Sequence, residues 1–197
     1  MNRCSGFLVA ALASSFSDAK VSELEFININ QVLMQAYQTS FIQIGQVELR
    51  ELYKNFGGAF LVDSTFKAQK KHQFMITLTG QIPQNPSMNQ AGYAIVACHE
   101  IGHILGGEPR QKTMLSSWSS VEGQADYFAT NQCLWEFLKV FPEVVKNIDP
   151  MCHAHFTKKD VIFCTRAILG IKAIAEYFND SLAVDEQVSL EKKDLSI

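Results

Sequence analysis

The chain has 197 residues and 47% hydrophobic residues, enough for one domain with a proper core. Its formal net charge of -3 gives no basic face for nucleic acid. Lys70-Lys71 and Lys158-Lys159 read as solvated surface, and no internal repeat is visible.

Residues 1–19 read as a secretory leader: Arg3 supplies the positive start, Phe7 to Ala13 a short apolar stretch, and Ala11-Leu12-Ala13 or Ser17-Asp18-Ala19 the small residues of a cleavage site. The apolar stretch is too short to span a bilayer, and the competing reading is a buried N-terminal helix. Without the leader no membrane span is expected, and localisation would be periplasmic or secreted. Cys98, Cys133, Cys152 and Cys164 then remain, an even set that suggests disulfides. Cys152–Cys164 is the expected bridge. Cys98–Cys133 looks too far apart if the two helices carrying them pack as straight antiparallel rods.

Residues 20–178 form the expected domain. Leu24, Ile27, Val32, Leu33, Ala36, Tyr37 and Phe41 approximate helical spacing over 24–42. Gly57-Gly58 marks a turn, Phe60 to Lys71 reads as a strand, and Phe74, Ile76 and Leu78 alternate with Met75, Thr77 and Thr79 in a second strand ending at Gly80. Gln81 to Asn89 is a loop. An apolar helix follows, with Pro86-Ser87 as its start signal and Gly106-Gly107 before Pro109 as its stop. Glu108 to Ser119 is a polar loop, and Ser119 or Ser120 can cap the next helix. A core helix spans about 158–178, and the residues from 179 to 197 are a polar tail.

The apolar helix carries His99-Glu100-Ile101-Gly102-His103. Two histidines four apart project from one helix face and can reach one ion, and Glu100 between them can act as base on a water molecule. Polar groups on so apolar a helix are costly unless paired or ligating. A catalytic zinc ion takes three protein ligands. The best third is Glu122, with Asp126 one turn later able to accept the second ring N–H of His99. A capping box, Ser119-x-x-Glu122, is the rival role for Glu122; rival ligands are Asp126, Glu108, His153 and His155, the last two placed in a loop. Pro109 stands where the metzincin pattern requires a third histidine.

The pairing of His99-Glu100-x-x-His103 with Glu122-x-x-x-Asp126 resembles the gluzincin arrangement of zincin metallopeptidases. The segment Gln124-Ala125-Asp126-Tyr127-Phe128-Ala129 is similar to a helix in a gluzincin branch that includes integral-membrane enzymes. The wider frame resembles small exported bacterial proteins with this core, over about residues 72–135. The resemblance implies an α+β, zincin-like fold: a small antiparallel sheet packed on the motif helices, with the edge of strand 74–80 holding an extended peptide substrate. It implies His99, His103 and Glu122 as zinc ligands, Glu100 as catalytic base and Asp126 behind His99. Tyr93, Tyr127, His153, His155 and Arg166 are candidate oxyanion donors. The expected function is zinc-dependent peptide hydrolysis, in a variant form an amidase acting on cell-wall peptides; the alternative is a non-enzymatic exported protein with a structural zinc.

Overall fold

A computed structural model describes residues 20–55, 61–66, 72–112, 118–141 and 145–180. The expected leader and the tail beyond Asp180 lie outside the described residues.

Helix α1 (Glu23–Ala36) starts with a capping box: the Ser22 hydroxyl accepts from the Glu25 amide, and the Glu25 carboxylate accepts from the Ser22 amide. Phe26, Ile29 and Leu33 bury one stripe in the core. Tyr37 then leaves helical geometry, with φ -104° and ψ 6°, and α2 (Gln38–Ile44) follows in a new direction. The single helix expected over 24–42 is therefore two, and the Tyr37 ring at the break packs against Phe41 and Phe128.

Strand β1 (Gly45–Leu52) was not expected, although Gln46-Val47-Glu48-Leu49-Arg50 carries a period-two pattern. Strands β2 (Leu61–Phe66) and β3 (His72–Thr79) complete a sheet of order β1-β3-β2. β1 runs parallel to β3, from Gly45 opposite His72 to Leu52 opposite Thr79, while β2 is antiparallel to β3. The sheet is mixed, which corrects the antiparallel expectation. A parallel pair needs a crossover rather than a hairpin, and the link from β1 to β3 runs through β2 on the far side. His72 and Gln73, expected in a turn, open β3. The strand meant to offer a free edge is thus central: β1 pairs its whole length and β2 pairs it as far as Thr77. Phe74, Ile76 and Leu78 point into the core.

Helix α3 (Gln90–Leu105) is the central element. Its cap is Asn89, whose side chain accepts from the Gly92 amide, so the start lies later than Pro86-Ser87. It packs on α1 and on three helical segments that follow it: α4 (Glu122–Phe128), a π-helical turn (Ala129–Cys133) and α5 (Leu134–Val140). Helix α7 (Lys158–Asn179) crosses it, and the short α6 (Pro150–His155) rests on α7.

Two disulfides fasten this set. Cys152–Cys164 joins α6 to α7 as expected. Cys98–Cys133 joins α3 to the π-helical turn with its Cα atoms 5.6 Å apart, which corrects the reading that they could not meet. That reading extended α4 as a straight α-helix, whereas the widened i→i+5 winding of Ala129–Cys133 breaks the assumed register. Disulfides of this kind persist in oxidising compartments. Among the described residues, no helix is long and apolar enough to cross a membrane.

Candidate metal centre

His99 and His103 lie one turn apart on α3, their rings edge to face with centroids 4.6 Å apart. The Nδ1 of His99 is 2.7 Å from the Asp126 carboxylate, and the Nδ1 of His103 is 3.0 Å from the Ser120 carbonyl oxygen. A carbonyl and a carboxylate only accept, so each Nδ1 donates and each Nε2 presents a lone pair. Both Nε2 atoms face one oxygen of Glu122, at 3.2 Å from His99 and 3.6 Å from His103. Three electron-rich atoms thus converge on one point. Such a cluster is suited to holding a cation between them. Two imidazole nitrogens and a carboxylate are the donor set that zinc takes.

Glu100 is buried beside them, and its carboxylate together with the two imidazoles forms a group whose ligand atoms all lie within 4.8 Å of one another. Burial raises its pKa from the ordinary 4.5 to about 7, with the neighbouring His99 opposing that rise and Glu122 adding to it. A bound cation acts in the opposite direction. Glu122 and Asp126 have side chains 71% and 70% exposed, so the cluster opens to solvent on the α4 side.

The segment before α4 ties that helix to the end of α3. Neither serine caps the helix: its cap residue is Val121, with no side-chain hydrogen bond. The Ser119 hydroxyl instead lies 3.2 Å from His103 Nδ1, so the capping-box role for Glu122 does not apply. The Ser120 amide donates to the His103 carbonyl at 2.9 Å, the Ser120 hydroxyl to the Gly107 carbonyl at 2.8 Å, and the Gln124 amide side chain to the Gly106 carbonyl at 2.6 Å. These carbonyls at the α3 terminus would otherwise lack partners. The end of the helix that carries the histidines is closed by the segment that leads into the helix of the two carboxylates.

Glu108 pairs with Arg110. His153 and His155 sit on α6, not in a loop, and are exposed. The buried Tyr93 hydroxyl donates to Asn30 at 2.6 Å, and buried Arg166 donates to the Leu138 carbonyl at 3.2 Å and lies over the Phe137 ring, so both are committed to the core. Tyr127 is exposed next to Asp126. The roles of Ser119 and Ser120 escaped the sequence reading, because two small polar residues before a helix signal only a cap. Compared with known proteins, the chain matches no family model, no curated protein and no solved structure.

Proposed function

We propose that this protein is a zinc-dependent metallopeptidase of the zincin type, exported to an oxidising compartment. The observation that carries the reading is the convergence of His99 Nε2 and His103 Nε2 on one oxygen of Glu122, with each Nδ1 already engaged as a donor. His99, His103 and Glu122 are the residues that would hold the ion. Zinc in such a site acts as a Lewis acid on a carbonyl and makes water more acidic.

The chain's own groups supply the rest. Asp126 and the Ser120 carbonyl fix the tautomer and tilt of the two rings, which makes Nε2 the ligand atom in both. Glu100, buried against the histidines, accepts the proton of the attacking water and returns it to the leaving amine. The two disulfides support export, as they suit an oxidising compartment. With β3 paired on both sides, an extended substrate must use another surface, and the peptide class of substrate rests on the motif rather than on that strand.

The test is digestion of an unfolded protein by the zinc-loaded chain beside its Glu100→Gln variant, with products read by mass. The variant is expected to bind zinc one-to-one and to lose turnover by about 10²–10⁴-fold. Undiminished cleavage by Glu100→Gln would sink the mechanism.

One observation favours a second reading, a non-enzymatic zinc protein. Glu100 lies close enough to both histidines to serve as a fourth protein ligand beside Glu122, and four protein ligands make a closed structural site. No products from wild type, together with loss of zinc in Glu100→Gln, would select it.

A further inference from the structure

Helix α3 carries two close helix contacts made by glycines. Near its start, a Cβ added to Gly92 would meet the Met88 sulfur at 2.8 Å and the Gly170 carbonyl oxygen of α7 at 3.0 Å. Within the histidine motif, a Cβ added to Gly102 would meet the Ala125 carbonyl oxygen at 2.7 Å and the Ala125 Cα at 2.9 Å. Ala125 is fully buried and lies on α4 between Glu122 and Asp126. The obstacle at Gly102 is backbone, which cannot rotate aside as the Met88 side chain can.

We propose that Gly102 is a positioning residue for the metal centre: by letting the α3 and α4 backbones touch at Ala125, it sets the reach of Glu122 and Asp126 to the two histidines. This rests on the reading of the cluster as a metal site. A side chain at 102 falls about 0.7 Å short of the 3.4 Å at which ordinary contact begins, so α4 must retreat by a comparable distance. Metal–ligand distances hold to within about 0.2 Å. The retreat is therefore several times what the site accepts, while Cys98–Cys133 still ties α3 to the π-helical turn beyond α4. The contact at Gly92 is nearly as tight but faces α7, away from both carboxylates, and serves as the matched control.

The experiment measures zinc affinity by competition with a chromogenic chelator for wild type, Gly102→Ala, Gly92→Ala, Glu122→Gln and the Gly102→Ala/Glu122→Gln pair. The metal-free Gly102→Ala structure is determined in parallel. Gly102→Ala is expected to weaken zinc at least tenfold and Gly92→Ala to leave it near the wild-type value. In the Glu122→Gln background, Gly102→Ala is expected to cost clearly less than in wild type, leaving only the part that acts through Asp126. In the metal-free structure the separation between His99 Nε2 and Glu122, 3.2 Å in wild type, is expected to widen. Additive losses, equal losses from the two glycine variants, an unchanged separation, or a Gly102→Ala chain that fails to fold where Gly92→Ala folds would each overturn the proposal by assigning Gly102 to packing alone. A wild type that binds no zinc would count against the metal reading instead, and the unliganded separation would still decide the role of Gly102.

Discussion

Asp126 touches the proposed ion only through His99, by one hydrogen bond of 2.7 Å. An asparagine there can still accept that bond, but it lacks the charge that makes the ring a better donor to a cation. Asp126→Asn is therefore expected to weaken zinc by about 10–100-fold while the fold stays intact, measured by chelator competition and circular dichroism. At this scale the sequence was informative for a definite reason. His99 with His103, and Glu122 with Asp126, are each four residues apart on a helix, so local winding alone puts each pair on one face. Glu100 follows from the same winding. Ser119, Ser120 and Gly102 act through what the chain meets after it turns, and no spacing announces that.

At the level of elements, the legible parts were those with long, uninterrupted patterns: α3, α7 and β3. The break at Tyr37 and the strand at 45–52 were hidden because the helical spacing before them seemed to run on. The π-helical turn was hidden because its extra residue shifts the helical phase within a single turn, too short a stretch to show a period of its own. That turn decided the Cys98–Cys133 bridge. The two bridges span 35 and 12 residues of sequence. On the chain-entropy account their closed loops correspond to about 4 and about 3 kcal/mol of stability. Cys98→Ser/Cys133→Ser is thus expected to lower unfolding free energy slightly more than Cys152→Ser/Cys164→Ser, read from urea midpoints at fixed zinc. Only the first pair is expected to weaken zinc as well, since it joins the helix of the histidines to the continuation of the helix of the carboxylates.

Over the whole molecule, the α+β class came from the resemblance carried by the motif helices, and strand order was not legible. A period-two pattern says which face of a strand is buried and nothing about its neighbours. The parallel pairing of β1 with β3 joins segments whose residues stand 27 apart in sequence, and only the assembled fold selects it. The same limit applies to the closure of α3 by the segment ahead of α4, which has a consequence in time. The Ser120 amide belongs to no helix or strand, yet it is fully buried and bonded to the His103 carbonyl. Its hydrogen is expected to exchange with solvent deuterium as slowly as the amides of central α3, and far more slowly than that of exposed Glu108, when followed by NMR. Exchange at the pace of the surrounding loop would mean that the segment lifts away many times for each global unfolding, carrying the carboxylates of α4 off the histidines with it.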